Sequence, residues 1–170
     1  MRVQEIKMLF AYNAWATNRV FESLAQLPED LYRKDLKASH GGIHGALVHL
    51  VGAEKLWLSR WLGKPESILL KPEEVPALAA LKEVWEDMAG RTARFVAKLD
   101  DQKASSQFEY TTTEGKKHTS TYWQTLQHLV NHSTYHRGQV AALMRQIGAE
   151  PVGTDLIAFY RHAAQPAPKR

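Results

Sequence analysis

Two histidines four residues apart, His132 and His136, are the residues of this sequence with the clearest chemical potential. Residues at positions i and i+4 of an α-helix lie one turn apart on the same face, so both imidazoles would reach one metal ion. The residue after His132 is a serine, which excludes the HExxH motif of the zinc proteases, whose glutamate is the general base. The pair predicts a metal site of another kind; the alternative is a pair of hydrogen-bonded core histidines.

His49 is the best candidate for a third ligand, because it lies in a second apolar stretch with helical character, residues 46–57. Three neutral imidazole nitrogens leave at least one coordination position open, which distinguishes a catalytic metal site from a structural one. Such a site fits either a hydrolase that uses metal-activated water or a transferase that activates a thiol. Since the sequence contains no cysteine, the thiol would have to belong to the substrate.

The five remaining histidines are weaker candidates. His40 and His44 have the same four-residue spacing, but the two glycines between them argue against an ordered helix there. His128 lies one turn before the pair and is open to three interpretations: a fourth ligand, a partner of a ligand or a surface residue. His118 and His162 are predicted to be solvent-exposed.

Four long segments show helical periodicity, and none shows sustained strand-like alternation. On the fourth segment the two histidines share a stripe with apolar residues, so both are predicted to point inward. The sequence therefore predicts an all-α fold, a four-helix bundle. Its helices are expected at about residues 3–26, 42–62, 77–99 and 122–147.

Smaller elements are predicted between and after these helices. The proline-rich stretch 63–76 is interpreted as a crossover loop, residues 108–119 as a short hairpin around a Glu-Gly turn, and residues 154–161 as a short C-terminal helix. Neither flank of the proline-rich stretch would form a core alone. Residues 1–165 are thus expected to form a single domain, with residues 166–170 as a frayed tail.

Composition limits the class of protein. With 44% hydrophobic and 24% charged residues among 170, the chain is typical of one ordered globular domain. Charges interrupt the N-terminus where a signal peptide is apolar, and no apolar run reaches the roughly 18 residues that a membrane span needs. A cytoplasmic protein without membrane contact is expected. The net charge of +4 is scattered along the chain, which does not indicate nucleic-acid binding.

The second predicted helix is apolar nearly all round. A helix of this kind must be covered on every side, by its own bundle or by a second subunit. This predicts a homodimer in which either Trp57 or Trp61 faces outward. The polar Asn13 breaks the apolar stripe of the first helix, an inconsistency of the kind found near functional sites; the alternative is a hydrogen bond to a neighbouring helix. Glu54, five residues after His49, is a candidate to assist the site, although an exposed or salt-bridged carboxylate is the more common outcome for such a residue.

With these residues in view, the chain resembles the DinB family, the DinB/YfiT-like metalloenzymes. The resemblance rests on the segments Tyr12–Arg19, His49–Trp57 and Asn131–Gln139. It implies a bundle of four helices that binds a divalent metal, nickel or zinc first and iron or manganese as alternatives. The implied ligands are His49, His132 and His136. Members are often homodimers, and relatives include thiol-dependent transferases and hydrolases.

Two functional hypotheses follow. The first is a metal-dependent enzyme acting on a small molecule, either a hydrolase or a transferase that uses a low-molecular-weight thiol. The alternative is a non-enzymatic, metal-binding stress-response bundle. A site closed by a fourth protein ligand such as His128 would favour the alternative, and an open site beside a pocket would favour the enzyme.

Overall fold

The computed structural model of the chain describes residues 1–64 and 69–164, and these residues are mostly helical. The predicted all-α class is confirmed, because helices carry the fold and the described strands form one two-stranded hairpin. None of the described helices is both long and apolar enough to span a membrane. In chain order the elements are α1 (Val3–Leu24), α2 (Glu29–Tyr32), α3 (Ile43–Trp61), a 3₁₀ turn (Pro72–Glu74), α4 (Leu78–Ala97), α5 (Asp101–Ser105), β1 (Gln107–Thr111), β2 (Lys117–Thr121), α6 (Tyr122–Gln146) and α7 (Leu156–Ala163).

The four long helices α1, α3, α4 and α6 form the bundle. Both α1 and α3 pack against α4 and α6, so α1 and α3 lie at opposite corners. Helices α3 and α6 run antiparallel: His49 lies opposite His136, and Trp57 lies opposite His128. The predicted four-helix bundle is confirmed, and the antiparallel pair α3 and α6 brings the histidines of both helices to the same level.

The smaller elements also match the prediction. Strands β1 and β2 pair antiparallel from Gln107 opposite Thr121 to Thr111 opposite Lys117, and Gly115 adopts a positive φ of 81° in their turn. Helix α7 packs against α1, where Phe159 meets the ring of Tyr12 at 5.9 Å. Of the predicted crossover loop, which joins α3 to α4, residues 65–68 lie outside the described residues, as does the predicted tail 166–170.

Helix α3 is covered by its own chain. Trp57 and Trp61 are 9% and 4% exposed, and the indole of Trp61 stacks on Phe95 of α4 at 5.8 Å. The predicted homodimer required one of these tryptophans to face outward. Both are buried within the chain, so neither presents an apolar surface to a second subunit, and the homodimer stays a prediction.

A buried polar network joins three of the four long helices. Glu54 of α3 is 2% exposed, and its Oε1 accepts hydrogen bonds from Asn13 Nδ2 of α1 at 2.8 Å and from Ser133 Oγ of α6 at 2.7 Å. Buried polar groups cost free energy unless they are hydrogen-bonded, so these bonds favour one rotation of each helix about its axis. Ser133 is next to His132 in sequence. The network therefore helps to fix the face on which the histidines lie.

Arg137 extends this network. Its side chain, 1% exposed, donates to Asn13 Oδ1 at 2.6 Å and to Thr17 Oγ1 at 3.1 Å on α1, and to Thr134 Oγ1 at 2.8 Å on its own helix. Its guanidinium carbon also lies 5.2 Å from the centre of the Tyr12 ring. Because Arg137 follows His136 directly, its bonds to α1 hold this part of α6 in place.

We predict that Arg137→Ala lowers the free energy of unfolding by about 3–5 kcal/mol, because it leaves Asn13, Thr17 and Glu54 with an incomplete buried network. Arg145→Ala is the matched control, since Arg145 is an exposed residue of the same helix; we expect it to cost less than about 1 kcal/mol. Urea denaturation followed by circular dichroism measures both values. A cost below about 1 kcal/mol for Arg137→Ala would show that the network does not hold the bundle together.

Candidate metal centre

Histidines of α3 and α6 face one another inside the bundle. The ring of His49 lies 4.5 Å from that of His136 and 5.3 Å from that of His132, measured between centroids. The Nε2 atoms of His132 and His136 are 3.1 Å apart. Two nitrogens that are each about 2.0–2.1 Å from a tetrahedral ion lie about 3.3 Å apart. The structure thus brings together the three residues predicted from the sequence, two of them at a spacing close to that of shared metal ligands.

A fourth histidine, His40, lies against the same cluster. Its ring stacks on His49 at 4.2 Å and meets the ring of His136 at 5.4 Å. One ligand nitrogen from each of His40, His49 and His136 lies within 4.8 Å of the other two. This three-histidine group is compatible with metal binding. The sequence analysis did not predict His40 at the site.

Glycines before and within α3 explain how His40 reaches the cluster. Gly41 has a φ of 78°, a left-handed conformation that glycine adopts without strain. A Cβ atom on Gly45 would lie 1.9 Å from the carbonyl oxygen of His40, so only glycine allows the loop to lie this close to the first turn of α3. Gly41, one of the two glycines that argue against a helix between His40 and His44, is therefore part of what brings His40 to the site.

The other histidines lie outside the central cluster. His44 hydrogen-bonds the carbonyl oxygen of Val75 at 3.0 Å. His128 is exposed, and its ring is 5.9 Å from that of His132. His118 and His162 are exposed, as predicted. His128 therefore borders the cluster from the solvent side.

Burial keeps the central histidines uncharged at neutral pH. Desolvation is the main cause that lowers the pKa of His132 to about 3 and that of His49 to about 4, and the neighbouring histidines lower both further. Desolvation also lowers the pKa of His136. A metal binds the neutral form of imidazole. These three side chains are thus in the protonation state of a ligand without first having to lose a proton.

Gln139 fixes the orientation of His136. Its amide oxygen Oε1 lies 2.8 Å from Nδ1 of His136, and an amide oxygen can only accept, so Nδ1 carries the proton. The Nε2 atom of His136 then presents its lone pair to the cluster. A hydrogen bond from the second ring nitrogen to a protein acceptor is the usual arrangement for a metal-bound histidine. The sequence analysis missed Gln139, although its position three residues after His136 places both on one helix face.

A small cavity lies beside the cluster. It has a volume of about 140 Å³, and His40 and Gln139 are among the residues that line it. Both are half-buried. The site therefore combines neutral nitrogen donors, which suit nickel and zinc among other metals, with a space for a small ligand.

Comparison with known proteins agrees with this architecture. The sequence profile described as "DinB family" matches residues 1–169. The chain therefore belongs to the DinB family. It is also 28% identical over 154 residues to Protein DinB of Bacillus subtilis (strain 168), an alignment that covers 86% of this chain and 88% of that protein. The assignment of His49, His132 and His136 as the ligands stays a prediction.

The lowered pKa values predict how the metal-free protein responds to acid. In the unfolded chain a histidine has a pKa near 6.5, whereas His132 in the folded protein has a pKa of about 3. Between these two pKa values the unfolded state binds a proton that the folded state does not bind. The contribution of His132 to the free energy of unfolding is therefore fully present above about pH 6.5 and is lost as the pH falls toward 3. Urea denaturation of chelator-treated protein from pH 7.5 to 4.5 should show this loss.

A variant series separates this effect from the titration of carboxyl groups. The loss of stability on acidification should be smaller in His132→Gln than in the wild type. It should be unchanged in His118→Gln, which alters an exposed histidine. Equal pH dependence in the His132→Gln protein and the wild type would contradict the neutral, half-buried state of His132.

Proposed function

We propose that this protein binds one divalent metal ion, nickel or zinc, through His49, His132 and His136 and uses it as an enzyme acting on a small molecule. The reaction is a hydrolysis or the transfer of a low-molecular-weight thiol. The observation that carries the proposal is the convergence of neutral imidazole nitrogens from α3 and α6, with 3.1 Å between the Nε2 atoms of His132 and His136. Membership of the DinB family supports it, because the resemblance to that family implies a divalent metal bound at these three histidines.

His132 and His40 are the two candidates for the third ligand beside His49 and His136, and they differ in how firmly the fold holds them. His49 and His136 belong both to the predicted set and to the compact group that includes His40. His132 lies on the same helix as His136, and that helix is held to α1 and α3 by the buried network. His40 lies in the loop before α3 and lines the cavity. The proposal therefore assigns His132 as the ligand and His40 as the residue that contacts the substrate.

The chemistry follows from the charge of the ligands. An ion held by neutral histidines keeps its full positive charge and supplies Lewis-acid chemistry, lowering the pKa of a water molecule or thiol that binds it. The residues of the chain have separate tasks. Gln139 holds the ring of His136 in one orientation through the 2.8 Å contact. His40 offers a ring nitrogen that exchanges a hydrogen bond or a proton with a molecule in the cavity of about 140 Å³.

The same four-histidine cluster supports a second candidate function. If His40 and His132 bind the ion together with His49 and His136, the site is closed by four protein ligands, as in structural metal sites. The protein would then be a non-enzymatic metal-binding bundle. The two functions differ in the effect of His40→Ala, which removes a substrate contact in the first and a metal ligand in the second.

We predict about one divalent ion per chain in the purified protein, measured by inductively coupled plasma mass spectrometry. His49→Ala, His132→Ala and His136→Ala should each abolish stoichiometric binding, because two imidazoles do not complete the site. His162→Ala, at an exposed position, is the control and should keep the ion. Full occupancy in the His132→Ala protein would contradict the assignment, and loss of the ion in His40→Ala would favour the closed site.

Activity is tested on the metal-loaded protein with two groups of substrates: electrophiles together with a low-molecular-weight thiol, and simple esters and amides. We expect turnover of at least one group, and at least about tenfold lower kcat/KM in the His136→Ala protein, since the metal and its ligand are lost together. His162→Ala serves again as the control. Equal rates in wild-type and His136→Ala protein across both groups would count against an enzyme.

A further inference from the structure

A second cavity lies between α1 and α4, away from the histidines. It has a volume of about 320 Å³, and no lining residue is shared with the cavity beside His40. Its walls are mostly apolar, with Phe10, Trp85 and Val96 among them. An apolar cavity of this size exceeds the small voids of a close-packed interior and lies within the size range of ligand sites. The cavity is thus large enough to be a binding site in its own right.

The carboxyl group of Glu54 gives this cavity an unpartnered hydrogen-bond acceptor. Glu54 is among the lining residues, although only 2% of its surface is exposed. Its Oε1 atom accepts from Asn13 and Ser133, whereas Oε2 makes no hydrogen bond with any residue in the described part of the chain. Asn13 also lines the cavity, but both polar atoms of its amide are already used, one by Glu54 and one by Arg137. Glu54 Oε2 is therefore the acceptor atom available to a ligand.

Burial raises the pKa of the Glu54 carboxyl, whereas its two hydrogen bonds and the charge of Arg137 lower it. The need to balance the buried charge of Arg137 favours the ionised carboxylate. The guanidinium of Arg137 is buried and donates only to neutral oxygens, those of Asn13, Thr17 and Thr134. A buried cation requires a compensating negative charge. The side-chain amide of Asn13 bridges Arg137 and Glu54, so the carboxylate of Glu54 lies close enough to supply that charge. A carboxylate oxygen is an acceptor only, so its partner must be a hydrogen-bond donor.

We propose that this cavity binds a neutral, largely apolar molecule of about two fused rings that carries one hydrogen-bond donor, and that the donor bonds to Glu54 Oε2. The size follows from the volume: a cavity of about 150 Å³ holds benzene, and this one is about twice as large. A neutral donor fits better than an ammonium group, because Glu54 already balances Arg137, and Lys7 also lines the cavity. The site is independent of the metal centre.

A second copy of the chain is the other occupant to consider, since several alanines line the cavity. A helix of another subunit would cover these alanines. Such a helix would bury Glu54 Oε2 without a hydrogen-bond partner unless the helix also brought a donor into the cavity. Burying an acceptor without a partner costs free energy. A small molecule that carries its own donor satisfies Oε2 directly. The oligomeric state of the variants below distinguishes the two occupants.

Three bicyclic probes test the proposal by isothermal titration calorimetry on the full-length protein. Indole carries one N–H donor, benzofuran has a similar shape but no donor, and 1-indanone carries a carbonyl acceptor instead. Because a hydrogen bond to a charged group contributes substantially in an apolar site, indole should bind at least about tenfold more tightly than the other two. Equal affinities for indole and benzofuran, or preference for 1-indanone, would overturn the proposal.

Two variants locate the binding site. Ala93 is an exposed lining residue of α4, so Ala93→Leu should fill part of the cavity and weaken indole binding at least about tenfold. Ala79→Leu, in the same helix but outside the lining, is the matched control and should change nothing. Glu54→Gln turns an amide donor toward the cavity if its oxygen keeps the bonds from Asn13 and Ser133, and indole should then lose its advantage over 1-indanone.

The binding and mass measurements on these variants distinguish a small-molecule ligand from a second copy of the chain. Unchanged indole affinity in Ala93→Leu would overturn the proposal, whether or not the Glu54→Gln protein folds. A change in mass of Ala93→Leu by light scattering, with no indole binding to the wild type, would instead identify the cavity as an interface between copies, and this also overturns the proposal. Chelator-treated protein should bind indole as the untreated protein does, so a failure here is distinguishable from a failure of the metal assignment.

Discussion

The guanidinium of Arg137 and the carboxyl group of Glu54 are buried in the middle of the bundle, and the fold must satisfy both. Asn13 bridges them, accepting from Arg137 and donating to Glu54, while Ser133 donates to the same carboxyl oxygen. These bonds connect α1, α3 and α6. They form only when each helix turns one particular face inward. On α6, the inward direction of Ser133 and Arg137 fixes the rotation of the helix and therefore the position of His132 and His136 beside them. The polar network thus holds the position of the histidine cluster.

The sequence segments that resemble the family carry both parts of this arrangement. Asn13 lies in the first segment, Glu54 in the second and Arg137 in the third, and the last two segments also contain His49, His132 and His136. A polar residue inside an apolar helical stripe is a local inconsistency, and here the inconsistency at Asn13 is resolved by two buried partners. Helix α3 contributes a lining residue to each of two cavities with different chemistry. One adjoins the neutral histidines, and the other adjoins the free oxygen of Glu54.

Much of the fold could be predicted because helical periodicity is a local property of sequence. The four long helices, the hairpin and α7 follow from the spacing of apolar residues and from turn residues. His40 could not be predicted in the same way, since its position depends on the close approach of a loop to α3 at Gly45, a contact that no periodic pattern encodes. The coverage of Trp57 and Trp61 depends likewise on tertiary packing, against residues of distant segments such as Phe95.

The central claim is that one divalent ion lies between α3 and α6, bound by His49, His132 and His136. Anomalous diffraction from crystals of the metal-loaded protein, recorded on both sides of the absorption edge of the metal, tests it most directly. The account predicts one peak per chain, with a ring nitrogen of each of these three residues at about 2.0–2.2 Å. A fully loaded crystal whose peak lies elsewhere, or whose ion is bound by His40, His49 and His136 with His132 beyond bonding distance, would contradict it.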